Sequence, residues 1–179
     1  MATVPEGLII REATTGDLPA VTRIYAHDVL DSTASFELTA PEVGEMQARF
    51  ATLRAAGLPY RVAFIGERVV GYAYAGAYRS RPAYDYTVEN SVYLDRAWRG
   101  RGIGGALRPS LIERCEAGPW RQMIAVIGDT DNVASMALHR RCGFERIGTL
   151  KSVGYKFGRW VDSVLMQRAL GSGDRTAPR

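Results

Sequence analysis

Ser91-Val92-Tyr93-Leu94-Asp95-Arg96-Ala97-Trp98-Arg99-Gly100-Arg101-Gly102-Ile103-Gly104-Gly105-Ala106-Leu107 passes from strand to helix through a basic, glycine-rich turn. Val92 and Leu94 alternate about Tyr93, as a half-buried strand does. Beyond Gly105, Leu107, Leu111 and Ile112 fall at helical spacing. Glycines permit positive φ and close approach of backbone to a ligand. A glycine turn that opens a helix aims unpaired N–H groups at one point and adds the positive end of the helix dipole. Phosphate suits such a point, and Arg99 and Arg101 place charge at its rim. Plain strand-to-helix packing would use the same residues, so spacing alone leaves both roles open.

Working outward, Thr87 to Leu94 alternates as the strand that feeds the turn, and the helix after it runs to about Ala117, where Gly118-Pro119 stops it. Upstream, Leu8 to Arg11 reads as a first strand. Thr14 and Asp17 have capping-box spacing for a helix carrying Val21, Ile24 and Tyr25 inward. A second helix begins at Pro41-Glu42 and runs through Met46, Phe50 and Leu53. Tyr60–Ile65 and Arg68–Tyr74 flank Gly66-Glu67 as a hairpin, with Gly71 and Gly76 marking a bulge or a close backbone approach. Downstream, Met123–Ile127 has the continuous apolar character of a strand buried on both faces. Asn132–Arg141 reads as a short helix with Val133, Met136 and Ala137 inward. Phe144–Leu150 and Val161–Leu170 read as closing strands. This order predicts a single α/β (α+β) domain over residues 1–170, with a mixed sheet flanked by helices, and a disordered Gly/Ser/Pro/Arg tail over 171–179.

Composition narrows the class. The chain has 179 residues, 46% of them hydrophobic and 23% charged, and a net charge of +4 that forms no long run of like charge. That balance argues against nucleic acid as the partner while leaving room for an anionic ligand. Cys115 and Cys142 have neither zinc spacing nor a disulfide framework. No apolar run is long enough to span a membrane, and the N-terminus lacks the pattern of a signal peptide. The expectation is a cytoplasmic protein with no metal and no membrane contact.

Two ordered segments carry a family resemblance. Arg99-Gly100-Arg101-Gly102-Ile103-Gly104, between strand and helix, resembles the Arg/Gln-x-x-Gly-x-Gly/Ala signature of the GCN5-related N-acetyltransferases. Asn132-Val133-Ala134-Ser135-Met136-Ala137-Leu138-His139 with Cys142-Gly143-Phe144 is similar to that superfamily's second acetyl-CoA segment. Ala83–Tyr93 and Val153–Asp162 further resemble the phosphinothricin and methionine sulfoximine N-acetyltransferases.

The resemblance implies the GNAT fold with a largely antiparallel sheet. It also implies acetyl-CoA as cosubstrate, and direct acetyl transfer to the amino group of a small amino-acid analogue. An ammonium has no lone pair, so a base must take its proton; the resemblance gives Glu89 that work. His139 stands where many members carry a tyrosine cast as the acid for the leaving thiolate, and acid, base-partner and structural roles stay open for it. The cofactor residues implied are Ser91, Val92, Tyr93 and Leu94 beside the pantetheine, with the oxyanion held by an N–H near Tyr93 or Leu94. The turn Arg99, Gly100, Arg101, Gly102, Ile103, Gly104 and Gly105 would hold the pyrophosphate, and Asn132 and Ser135 would lie at the pantetheine arm. A carboxylate on the acceptor calls for a cation, which places Arg79, Arg81, Tyr84, Lys156 and Trp160 around it, the last two from a second subunit if the protein is the homodimer that similar proteins form. Other amines (a polyamine, an aminoglycoside, a protein N-terminus) and a non-catalytic acyl-CoA-binding module are the competing readings. A nucleotide phosphate loop is excluded by the lack of Gly-Lys-Ser/Thr.

Overall fold

The computed structural model describes residues 4–178. Its sheet is built around the strand of the opening stretch, β4 (Thr87–Leu94). β1 (Leu8–Glu12), β2 (Tyr60–Ile65) and β3 (Arg68–Ala77) lie to one side, and β5 (Gln122–Gly128), β7 (Arg159–Ala169) and β6 (Glu145–Lys156) to the other, in the order β1-β2-β3-β4-β5-β7-β6. Every neighbouring pair is antiparallel except β4 with β5. The helices are α1 (Leu18–Asp31), α2 (Val43–Ala55), α3 (Ile103–Glu116) and α4 (Val133–Arg141). This is the mixed, largely antiparallel sheet expected.

The two faces of the sheet have separate cores. Leu107, Leu111 and Cys115 of α3 bury against Val70, Ala75 and Val88. On the other face Val21, Ile24 and Tyr25 of α1 and Phe50 of α2 cover Tyr60, Val62 and Tyr72. Strand alternation divides β4 between them: Val88 and Asn90 are buried, while Glu89, Ser91 and Tyr93 point the other way. The capping signal at Thr14 is real. Thr14 N donates to Asp17 Oδ2 at 2.7 Å, and Arg11 forks onto the same carboxylate at 2.9 and 3.0 Å. A 3₁₀ turn over Thr15–Asp17 intervenes before α1 begins.

Several expectations need correction. Of the expected inward positions on α4, Met136 is buried, but Val133 is 62% exposed and His139 is the other residue the helix buries. β5 is not apolar-buried throughout: Val126 is exposed. The expectation at Gly71 holds: a Cβ there would stand 2.5 Å from Leu94 Cδ2, and the bulge lies beside it on the same strand, where Ala63 pairs with Gly71 and Phe64 with Val69, leaving Val70 unpaired. β6 and β7 run on past the expected ends into a hairpin closed by Phe157 and Gly158, both at positive φ, as a two-residue primed turn requires. The tail over 171–178 is anchored rather than disordered. Arg121 donates to Ser172, to Thr176 at 3.1 Å and to the Ala177 carbonyl at 3.1 Å.

Candidate active site

β4 and β5 pair only over Thr87–Glu89 and Gln122–Ile124. Past that point β5 stays with β7 while β4 continues to Leu94 on β3 alone. The strands therefore fork, and from Asn90 onward β4 presents an open edge of amide groups. Asn90 closes the vertex: its Nδ2 donates to the Ile124 carbonyl at 3.0 Å, which the ladder no longer serves. A buried polar side chain at an inward position of an otherwise apolar strand was the available signal for this residue, and motif spacing passed over it.

The open edge leads into the glycine turn. Gly100 and Gly102 both have φ +75°, where an L side chain is strained, and Gly102 is the residue from which α3 starts. A cleft of about 960 Å³ runs along Val92, Tyr93 and Leu94, past Arg99, Gly100 and Gly102–Gly105, and is closed opposite by Asn132, Ser135 and Leu138. Of the expected cofactor residues, all but Ser91 and Arg101 line this cleft. The Arg99 side chain is committed to Asp28 at 2.7 Å, tying the turn to α1 and leaving the backbone to face the cleft. Arg101 leaves the cleft wall and stacks over Trp98, 4.9 Å from the ring centroid. The Asn132 Oδ1 is occupied as the cap of α4, accepting from Ser135 N at 3.2 Å. Ser91 pairs with Tyr74 of β3 and is not part of the cleft wall.

Glu89 is the last β4 residue in the ladder, so it sits at the vertex. Burial raises its carboxyl above the ordinary value, with the Arg79 charge opposing. Gly76 lies directly across on β3 and adds no side chain, leaving space beside the carboxylate. Tyr74, on the same face, keeps its phenol protonated because burial raises it too. Arg79 lies over the Tyr78 ring at 4.7 Å, and Tyr84 meets the same ring edge-on at 5.7 Å, so these two expected acceptor residues come together at Tyr78, with the Arg79 charge acting on Glu89. Arg81 begins the 3₁₀ turn Pro82–Tyr84 and makes no ion pair among the described residues.

His139 is buried, and its imidazolium is disfavoured, the pKa falling to about 3 through burial and the nearby Arg108 charge. It is therefore neutral. Both ring nitrogens face oxygen acceptors, Nδ1 at 2.8 Å from the Ser135 carbonyl and Nε2 at 3.2 Å from Asn90 Oδ1, so the single proton of the neutral ring makes one of these two hydrogen bonds. The histidine reaches the fork through Asn90.

Lys156 and Trp160 do not meet at the acceptor. Lys156 is 4% exposed and donates to the Ser32 and Ser35 carbonyls at 2.8 and 2.6 Å, pinning the α1–α2 loop. The same loop is seated by two glycines: a Cβ at Gly128 would overlap the Thr33 carbonyl, and one at Gly154 would overlap the Phe36 ring. Tyr25 fastens it again, its hydroxyl 2.8 Å from Ser35 Oγ and donating to Glu37 Oε1 at 2.8 Å. Ser32, Thr33 and Ala34 form a wall of the cleft, so Lys156 acts on it from behind. Trp160 is 64% exposed and packs edge-on with Tyr155 at 5.2 Å. Its neighbour at the hairpin end points the opposite way, which is why two residues of one motif part.

The acetyltransferase (GNAT) domain family matches residues 10–165. The chain belongs to that family. It is 54% identical over 169 residues to the phosphinothricin N-acetyltransferase of Alcaligenes faecalis, covering 94% of this chain and 86% of the relative. The L-methionine sulfoximine/L-methionine sulfone acetyltransferase of Pseudomonas aeruginosa is 42% identical, over 94% of this chain and 98% of the relative. Among solved structures, a GNAT phosphinothricin acetyltransferase from Sinorhizobium meliloti in complex with AcCoA superposes with a TM-score of 0.93 at 46% identity, over 97% of this chain and 94% of that one. Among the described residues no cluster of His, Cys, Asp and Glu could hold a metal, and no helix is long and apolar enough to cross a membrane.

Proposed function

We propose that this acetyltransferase moves the acetyl group of acetyl-CoA to the α-amino group of a small amino-acid analogue of the phosphinothricin, methionine sulfoximine or methionine sulfone type. The observation that carries the reading is the fork. An open β4 edge runs into the positive-φ glycine turn, and a carboxyl with raised pKa stands at the vertex. The edge suits the amides of pantetheine, and the N–H groups of the turn suit a pyrophosphate. Acetyl-CoA supplies the activated thioester.

In this reading Glu89 takes the proton of the incoming ammonium, directly or through a water; the amine attacks the thioester carbonyl, the C–S bond breaks, and the proton the new amide nitrogen loses is taken up by the departing CoA thiolate. Burial makes it a better base than a free carboxylate. An N–H of β4 near Tyr93 or Leu94 steadies the charge that develops on the carbonyl oxygen. Arg79, with Arg81 in the adjoining loop, takes the acceptor's carboxylate, and Tyr84 flanks its side chain. That cationic loop favours an anionic acceptor over a polyamine or aminoglycoside. His139, neutral and reaching the fork only through Asn90, is a positioning residue. Lys156 positions the α1–α2 wall. The exposed apolar side chains Ile147, Leu150, Val153, Tyr155, Phe157 and Trp160 on the β6–β7 hairpin supply the face of a homodimer.

The test is a thiol-release assay with acetyl-CoA against a panel of amino acids, methionine sulfoximine, methionine sulfone, phosphinothricin and polyamines. Turnover confined to the amino-acid analogues is expected. Turnover with polyamines alone would sink the acceptor assignment, and turnover with no member of the panel would sink the reading as a whole.

A further inference from the structure

Among the described residues, the loop that carries Arg79, Arg81 and Tyr84 is hydrogen-bonded to the rest of the protein only at its two ends. At one end Tyr78 N donates to the Thr87 carbonyl at 3.3 Å. At the other the Tyr86 carbonyl accepts from Arg121 N at 2.8 Å and from Gln122 N at 3.2 Å. Between them the turn bonds to itself, Tyr84 N to the Arg81 carbonyl and Asp85 N to the Pro82 carbonyl. The Arg121 carbonyl accepts in turn from Leu170 N at 2.9 Å, so this one residue joins the loop, β5 and the end of β7.

The Arg121 side chain grips the segment that follows β7. Its Nη1 donates to Ser172 Oγ, to Thr176 Oγ1 at 3.1 Å and to the Gly173 carbonyl at 3.4 Å, and its Nη2 donates to the Ala177 carbonyl at 3.1 Å. Gly171 and Gly173, at φ +53° and +56°, turn the chain back over the guanidinium, and Gly173 N donates to the Leu170 carbonyl at 2.9 Å. Gly173 is buried, and a Cβ there would stand 3.1 Å from Ala169 Cβ. A segment so polar has too little apolar surface to order itself. The guanidinium orders it through hydrogen bonds.

The closed end of the fork is short, since β4 and β5 pair only over Thr87–Glu89 and Gln122–Ile124. A residue fastened at that end bears directly on where the acceptor loop enters β4. The cofactor turn lies beyond the other end of β4, about 23 Å away for the seven steps from Thr87 to Leu94. We infer that Arg121, held by the strap over residues 171–177, is a positioning residue for the acceptor loop, and that it sets acceptor affinity without touching acetyl-CoA. The inference rests on the reading above in which Arg79 and Arg81 take the acceptor's carboxylate. The strap fixes the Arg121 side chain, the Arg121 amide fixes the Tyr86 carbonyl, and that carbonyl fixes one end of the loop.

Steady-state kinetics on the full chain test this, with Arg121→Met, Gly173→Val and the double variant, and with phosphinothricin and methionine sulfone as acceptors. Methionine removes the grip and keeps the amide that holds Tyr86. Valine at Gly173 is strained at positive φ and crowds Ala169, so it unseats the strap and leaves Arg121 intact. Acceptor KM should rise about 3–10-fold in each single variant, the scale of a net hydrogen-bond contribution, with kcat and the KM for acetyl-CoA unchanged. The double variant should be no worse than Arg121→Met, because both changes break the same connection. Trypsin reports the strap without turnover: cleavage after Arg175 should be slow in the unaltered chain and fast in every variant. An unchanged acceptor KM in variants whose strap is cut fast would overturn the positioning role. So would an equal rise in the KM for acetyl-CoA, which marks general loosening, additive effects in the double variant, or cleavage of the unaltered chain as fast as of the variants. If the unaltered chain turns over neither acceptor, the acceptor reading itself fails and the role of Arg121 with it.

Discussion

Glu89→Gln separates catalysis from folding. The carboxyl is buried at the vertex of the β4–β5 fork and its pKa is raised above the ordinary 4.5 by that burial. A group whose folded pKa is raised favours folding while protonated and loses that contribution as pH climbs through the folded value. The charged form therefore costs stability at pH 7–8, and glutamine, the neutral isostere, should leave the melting temperature equal or higher. Catalysis should move the other way. Loss of one general base costs about 10²–10⁴-fold, or about 2.7–5.4 kcal/mol of transition-state stabilisation. The assay is kcat/KM from pH 5 to 9 with a saturating acceptor, alongside thermal melts in the same buffers. The unaltered chain should show an acidic limb above pH 4.5, where Glu89 deprotonates. Glu89→Gln should lose rate and lose that limb, with acetyl-CoA affinity unchanged. A variant that keeps full rate across the range refutes the base assignment. A variant that loses rate and melting temperature together shows that Glu89 holds the fork rather than the proton.

Three further outcomes follow from the geometry. Arg79→Met removes the charge that holds Glu89 down, so the acidic limb should shift to higher pH while the acceptor KM rises; a fixed limb would separate Arg79 from the base. Lys156→Met leaves the Ser32 and Ser35 carbonyls without their buried donor, which should cost about 1–3 kcal/mol of stability by denaturant unfolding and raise KM through the loosened wall, and unchanged stability would dismiss the pin. Trp160→Glu places a charge in the exposed apolar face of the β6–β7 hairpin and should convert a dimer to a monomer in sedimentation equilibrium; an unaltered mass would move the interface elsewhere.

The parts of the fold that could be read in advance are those where one local rule decides. Glycine at φ +75° in the turn before α3, the Thr14–Asp17 cap and the Gly66-Glu67 hairpin each follow from a few neighbouring residues. The failures occur where tertiary contacts decide. Val133 is outward because α4 packs through Met136, in the apolar core, and His139, against Asn90. The tail was polar enough to pass for disorder, yet one arginine from the loop before β5 holds it through several acceptors. The long β6–β7 hairpin hid behind a polar stretch because its outer face is not covered within the chain.

The same division explains the site. Cofactor-facing groups are largely backbone, and backbone geometry is written in glycine and strand pattern, so the turn and the β4 edge were legible. Side-chain roles were not, because a motif lists neighbours in sequence while a β-hairpin sends alternate neighbours to opposite faces. Lys156 and Trp160 came as one motif and separated for that reason, the lysine toward the Ser32–Ser35 loop and the tryptophan outward. Arg79 and Glu89 are ten positions apart and were brought together by the turn of the chain between β3 and β4. What assembles the acceptor end is therefore the fork and the loop pinned across it. The residues that hold those two in place, Asn90, Gly128, Gly154 and Lys156, should govern acceptor choice as strongly as the residues that touch it.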